Sequence, residues 1–307
     1  MLPYTLAQDE NKLCFKVHNL LNQHLQHTGK MFRPQLTQVL GKLFNVPDET
    51  LYRISWASEL IHNASLIHDD VVDNALTRRE KPTLNAQLPN SKAVLAGDYL
   101  LASVIAELVR QGEFSILKTL AETLEEIVEG EFEQDSLRSK AVITAEDIEA
   151  VARKKTGALI AWNCHSVAVQ AGLSMESQLL CKDIGLTLGL AFQLIDDNLD
   201  YSRSSGKEYG KDLKEGLINF TTLNLIQIYP ELYYSIYQVR GTNFTAPPWS
   251  EGQITEAIKL TSQRAGQLFD EVFNLLQQLI IREKIPVQSE EYMNLLSFLK
   301  EAQERQK

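Results

Sequence analysis

Apolar residues recur every three and four positions along most of this chain, and that period predicts helices nearly from end to end. From Leu51 to Val72 the stripe runs through Ile54, Ala57, Ser58, Ile61, Ala64, Ser65, Ile67 and Val71. The same rule predicts helices over Lys92–Leu108, Thr119–Phe132, Glu146–Ala171, Ser177–Leu199, Gln253–Ile281 and Glu290–Gln303. Short alternating strands joined by hairpin turns are not expected. Thr77–Pro89 carries Pro82 and Pro89 and reads as a loop. Tyr201–Gly216, rich in Gly, Lys and Ser, reads as another, and Tyr229–Ser250, with Pro230, Pro247 and Pro248, as a connection. Apolar helices flank every loop and no repeat of fixed period is present. The expectation is an all-α fold, with one domain spanning residues 1–307.

Composition narrows this picture. With 307 residues, 44% of them hydrophobic, the chain can bury a core without disulfides or a structural metal. Cys14, Cys164 and Cys181 are far apart and odd in number, which points to a reducing compartment and excludes a CxxC metal site. A net charge of -10 argues against nucleic acid as a partner. The N-terminal MLPYTLAQDENK lacks a basic region followed by an apolar stretch, so no cleaved signal peptide is expected. Asp, Gln or Lys interrupts the longest apolar segments before the ~18 residues needed to span a bilayer. A cytoplasmic protein is expected.

The chemistry concentrates in two acidic clusters, Asp69-Asp70-Val71-Val72-Asp73 and Asp196-Asp197-Asn198-Leu199-Asp200. In each, the first and last Asp are four apart and share one helix face. Three like charges closing an apolar helix repel one another, and a cation compensates them. Magnesium favours oxygen ligands, keeps several waters and bridges carboxylates to substrate phosphates. Two such helix ends facing each other would hold a diphosphate between metal ions. One Asp run alone is equally well read as a helix cap or a solvated face. Here there are two, and each precedes a basic loop: Arg78, Arg79 and Lys81 after the first, Lys207, Lys211 and Lys214 after the second. Such side chains neutralise phosphate oxygens. The other polar candidates have plainer readings. Lys30 and Arg33 read as a solvated pair before Pro34, and Lys155-Thr156 as helix surface. Gln193 lies in an apolar helix and needs a polar partner in any case. His68 reads as a packing residue, and His18, His24, His27 and His165 lack any ligand pattern around them.

The segments LIHDDVVDNALTRREKPT and GLAFQLIDDNLDY resemble the two aspartate-rich motifs of the trans-isoprenyl diphosphate synthases, or polyprenyl synthetases. TGKMFRP, GDYLLA, KKTGALIA and GKEYGKDLKEG stand in the order that family has them, so the resemblance covers nearly the whole chain. It implies a bundle of long helices around a central cavity. It also implies magnesium-dependent, head-to-tail condensation of isopentenyl diphosphate with an allylic diphosphate. By resemblance, Asp69, Asp73 and Asp196 would bind the magnesium, about three ions with bound diphosphate. Asp70, Asp197 and Asp200 would be direct or water-mediated ligands. Arg78, Lys155, Thr156, Gln193 and Lys207 would contact the allylic leaving group. Lys30, Arg33, His62 and Arg79 would hold the diphosphate of isopentenyl diphosphate. A homodimer and transient membrane contact on product release are implied as well, and the tail Glu304-Arg305-Gln306-Lys307 would fold over the isopentenyl site.

Three positions depart from the family pattern: Met31 where Arg is usual, Glu80 where Gly is usual and Leu217 where Lys is usual. Each weakens phosphate binding, and none removes a metal ligand. A non-catalytic subunit of a heteromeric synthase is the alternative, but such subunits tend to lose aspartates and this chain keeps all six. A cyclase of the same fold usually lacks the paired arginines and the Gly-Lys-x-x-Arg block. Behind Asp69 the residues Ala64, Ser65 and Ile61 offer no aromatic floor, and each helical turn adds ~5.4 Å. The resemblance then implies products of geranylgeranyl length or longer.

Overall fold

The structure, a computed structural model, describes residues 20–22, 25, 31–78, 81–202 and 208–304. Cys14, His18, His24, His27, Lys30, Arg79, Glu80, Lys207 and the tail residues 305–307 lie outside the described residues. The chain packs as two compact units, Met1–Thr119 with Val169–Gly172, and Leu120–Ala168 with Leu173–Lys307.

The first unit is built on α1 (Phe32–Leu43), α2 (Asp48–Val72) and α3 (Asn90–Arg110). Pro34 falls in the first turn of α1, where a missing N–H costs no hydrogen bond. Asp48 and Glu49 fill the first turn of α2 and complement its positive dipole end. Ile54, Ala57, Leu60, Ile61, Ala64 and Ile67 of α2 are all buried. They pack against α1 and α3. Gly97 of α3 makes room for His68, whose Nε2 would lie only 2.3 Å from a Cβ at that position. The His68 ring meets the Val94 carbonyl at 3.1 Å and Asp98 at 3.4 Å. The loop after α2 is more ordered than expected. Thr77–Arg78 pairs antiparallel with Lys81–Pro82, and Leu84–Gln87 forms one helical turn capped by Thr83.

Helix α4 (Phe114–Leu137) runs from the first unit into the second. The stretch read as one helix from Glu146 to Ala171 is broken into three. It comprises α5 (Ala145–Ala152), a π-helical turn (Arg153–Gly157) and α6 (Ala158–Gln170). Thr144 and Asp147 close a capping box at the start of α5. Helices α7 (Met175–Leu199), α8 (Phe220–Ile228), α9 (Glu251–Arg282) and α10 (Glu290–Glu304) follow, and Tyr229–Ser250, read as a connection, also holds a short helix over Tyr233–Val239. α7 packs along α9 and against the π turn. α7 is long and apolar enough to cross a membrane by length and composition, with half of its apolar window buried inside the protein. Lys182, Asp183 and Gln193 interrupt the apolar run of α7. Cys164 and Cys181 are buried free thiols.

The π turn lies in close backbone contact with α7. A Cβ on Gly189 would lie 2.3 Å from Gly157 Cα, and one on Gly185 would lie 2.4 Å from Ala161 Cα. Glycines thus bring the backbone of α7 against the π turn and α6. One extra residue per turn re-aims side chains locally, a device that recurs at functional sites.

Candidate functional site

In the first unit, the acidic cluster occupies the last turn of α2, with Asp73 as C-cap. No basic residue lies in that turn, so three carboxylates stand at the negative end of the helix dipole. They differ in surroundings. Asp69 is half-buried and Asp73 exposed. Asp70 is buried, and its Oδ1 accepts from Arg78 Nε at 2.9 Å and pairs with Nη2 at 2.8 Å. The strand Thr77–Arg78 folds back to deliver this guanidinium, and Asn85 ties the Asp70 and Ala75 carbonyls together. Asp70 Oδ2 is buried and finds no hydrogen-bond partner among the described residues. The structure therefore brings Asp70 and Arg78 together as a pair.

Other residues singled out from the sequence fall in the same unit. His62 and Ser65 are half-buried, and the Ser65 hydroxyl donates to the His62 carbonyl at 2.9 Å. Spacings of four and seven place both on the Asp69 stripe. Ala64 and Ile61, by contrast, are packed into the core at 0% and 2% exposure. Arg33 is half-buried in the first turn of α1, and its Nε finds no partner among the described residues. Burial pulls its pKa down, against the opposing pull of Glu59. Met31 caps α1 with φ at 53°, in the left-handed region.

In the second unit, the other cluster closes α7, again with an Asp as C-cap and no basic residue in the last turn. Asp196 is exposed, while Asp197 and Asp200 are buried. Asp197 accepts from Gln193 Nε2 at 3.0 Å and from the Phe220 amide at 2.8 Å. Gln193 in turn accepts from the Thr156 hydroxyl at 2.8 Å. A relay thus runs from the π turn through Gln193 to the second cluster. Gln193 has the polar partner its apolar setting demanded. Asp200 Oδ1 accepts from the Lys211 amide at 3.0 Å, which pins the chain returning after the cluster. Burial first, then the Asp212 charge, pushes Asp197 up to about 7 and Asp200 up to about 8.

Lys155 protrudes from the π turn and is not plain helix surface. Its Nζ meets Glu131 at 2.8 Å and donates to Gln134 Oε1 at 2.8 Å. Glu131, Gln134 and Asp212 were not singled out from the sequence. Glu131 and Gln134 lie 21 or more residues from the lysine they contact, and no local signal marks them. Leu217 is half-buried, and its amide donates to the Asp212 carbonyl at 2.8 Å.

Each cluster by itself offers oxygens that suit a hard divalent cation. These oxygens are all carboxylate, they crowd helix C-termini, and one of them is buried without a hydrogen-bond partner among the described residues. Among the described residues, no three His, Cys, Asp or Glu side chains converge as a ready-made metal cage. Magnesium suits such an arrangement, because it keeps its own waters and takes further oxygens from substrate phosphates.

Comparison with known proteins agrees with this chemistry. The family model described as polyprenyl synthetase matches residues 16–246. A decaprenyl-diphosphate synthase of Dictyostelium discoideum is 35% identical over 227 residues, which cover 71% of this chain and 49% of that protein. The octaprenyl diphosphate synthase of Escherichia coli (strain K12) is 31% identical over 259 residues, covering 82% of this chain and 80% of that one. This chain thus spans about half the length of the eukaryotic relatives it matches and most of the bacterial one. Among solved structures, a polyprenyl synthase from Caulobacter crescentus CB15, complexed with calcium and isoprenyl diphosphate, superposes with a TM-score of 0.75. It has 27% identity and the match covers 89% of this chain and 83% of that one.

Proposed function

We propose a function from one premise: this chain belongs to the polyprenyl synthetase family. It is a trans-prenyltransferase that joins isopentenyl diphosphate to an allylic diphosphate. The observation that carries this reading is the pair of carboxylate clusters, each closing a long helix at its negative dipole end without a basic residue in the last turn. Arg78 answers the Asp70 charge and backbone amides hold Asp197 and Asp200, so the cations are proposed to bind at Asp69, Asp73 and Asp196, at the negative ends of the two helices.

Asp69 and Asp73 on α2, and Asp196 on α7, are the proposed magnesium ligands. Bound magnesium would stabilise the charge that develops on the departing diphosphate. The chain's own groups do the rest. Arg78 and the Lys155 ammonium are proposed to bind the allylic diphosphate. As its C–O bond breaks, the electron pair leaves with the diphosphate, and a resonance-stabilised allylic cation remains. The alkene of isopentenyl diphosphate then attacks that cation, and the adjacent C–H proton passes to the departed diphosphate. The apolar faces behind the clusters exclude water, which would otherwise trap the cation. A homodimer, with transient membrane contact on product release, belongs to the same proposal.

The test is incubation of the full chain with farnesyl diphosphate, excess isopentenyl diphosphate and magnesium, followed by chain-length analysis. Prenyl diphosphates longer than farnesyl are expected, and excess chelator should stop their formation. Turnover that persists in chelator would overturn the metal assignment.

Product length follows from the Asp69 stripe. Ser65 shares that stripe and is half-buried, whereas Ala64 is turned into the core. We therefore shift the tunnel wall from Ala64 toward Ser65. Ser65→Phe is expected to shorten the products by refilling the space one turn behind Asp69. Ala64→Phe is expected to cost about 1–3 kcal/mol through overpacking. Product analysis and thermal melts separate the two, and an unchanged product length in Ser65→Phe would refute the placement.

A further inference from the structure

Lys154 and Lys155 are neighbours on the π turn, and α4 treats them differently. Lys154 pairs with two carboxylates, Glu129 at 3.0 Å and Glu133 at 2.5 Å. Its charge is more than matched. Lys155 meets one carboxylate, Glu131, and one neutral acceptor, the Gln134 amide oxygen. An ammonium has three N–H donors. Two of those on Lys155 are engaged, and its charge is matched only once. The side chain keeps 22% exposure, so the third donor is not sealed from solvent.

The α4 backbone also comes close enough to make these contacts short. Gly130 stands between Glu129 and Glu131, and a Cβ there would lie 2.8 Å from Lys154 Cβ and 3.0 Å from Lys155 Cγ. With Gly130 in place, residues 129–134 of α4 lie directly against the π turn. Lys154 is the anchor of this contact, and Lys155 is the group the contact presents. A lysine stem loses much rotamer freedom when its ammonium is fixed. Here that ordering is completed before any substrate arrives.

We propose that Glu131 and Gln134 are positioning residues, which hold the Lys155 ammonium in place to receive a diphosphate. The inference rests on the proposed function for the identity of the anion. Its structural half, the holding of Lys155, stands on the contacts alone. Gln134 supplies orientation without a competing negative charge. Glu131 supplies orientation and matches the charge of the ammonium until a more highly charged anion competes for it.

Two measurements on the full chain test this. The first is a double-mutant cycle on kcat/KM for the allylic diphosphate. Gln134→Met should lower it about tenfold, mainly through KM, the scale of one hydrogen bond to a charged group. The same change should cost nothing further in a Lys155→Met background, and Gln134→Glu, which keeps the acceptor but adds a competing negative charge, should recover little of the loss. Equal losses in both backgrounds would show that Gln134 acts elsewhere and would overturn the proposal. The second measurement needs no turnover. In ligand-free protein, the rate at which an acylating reagent labels Lys155, followed by peptide mass spectrometry, should rise several-fold in Gln134→Met and in Glu131→Gln. Unchanged labelling in both variants would overturn the proposal. A chain that forms no prenyl product at all would instead overturn the proposed function, and the labelling would still decide whether Lys155 is held.

Discussion

Asp69→Ala and Asp196→Ala should each lower prenyl transfer by about a thousandfold while the helical fold survives, since each removes transition-state charge stabilisation from a preorganised site. Asp69 is half-buried in the last turn of α2, and Asp196 is exposed in the last turn of α7. Removing either carboxylate relieves repulsion with its cluster and with the helix dipole, an effect worth ~0.3–1 kcal/mol. Melting temperatures should therefore hold or rise slightly. The neighbouring aspartates behave differently. Asp197→Ala strands the Phe220 amide and the Gln193 side chain, and each buried donor left unpaired costs ~1–3 kcal/mol. That variant should lose stability along with activity. Turnover of a labelled five-carbon donor, set beside circular dichroism melts, distinguishes the two classes. Wild-type turnover in either Asp69→Ala or Asp196→Ala would end the metal-cluster account.

Gly189→Ala is the second change with a large expected effect. Its new Cβ would meet Gly157 Cα at 2.3 Å and Gly157 N at 2.7 Å. Both atoms are backbone, so no side chain can swing aside and α7 must move off the π turn. The expected loss is about 1–3 kcal/mol or more. Activity should fall further than stability accounts for. The shift opens the Thr156–Gln193 hydrogen bond, and with it the support of Asp197. A misplacement of ~1 Å at such a site can cost about a hundredfold in rate. Gly266→Ala on α9 serves as the control, because a Cβ there meets nothing within 4 Å. It should be neutral or stabilising, by ~0.5–1 kcal/mol. Equal behaviour of the two variants in melts and turnover would show that the helix contact at Gly189 is looser than described.

Helices were legible wherever the chain alone specified them. The period through Ile54, Ala57, Ile61 and Ala64 reproduced α2 to within three residues at its start and matched its end. Both clusters were legible as helix ends, because a spacing of four and a following basic loop are features of sequence. The hairpin Thr77–Arg78 with Lys81–Pro82 was not, since strands of two residues carry no period. Nor was the π turn, which lies against α7 through the Gly157–Gly189 approach between segments more than thirty residues apart.

The roles within each cluster divide along the same line. Spacing alone left Asp69, Asp70 and Asp73 alike, and likewise Asp196, Asp197 and Asp200, and only the family resemblance set Asp69, Asp73 and Asp196 apart as magnesium ligands. Tertiary structure separated them. Arg78 reaches back to Asp70, the Phe220 amide and Gln193 claim Asp197, and the Lys211 amide claims Asp200. Lys155 gained Glu131 and Gln134 in the same way. The physical reason is range. Helical period and charge spacing are set by neighbours three and four residues apart, which the chain fixes before it packs. Gln193 apart, which sits one turn before Asp197 on the same helix, the partners of these buried groups lie eight to more than twenty residues away, and only the packing of helices decides which donor arrives there.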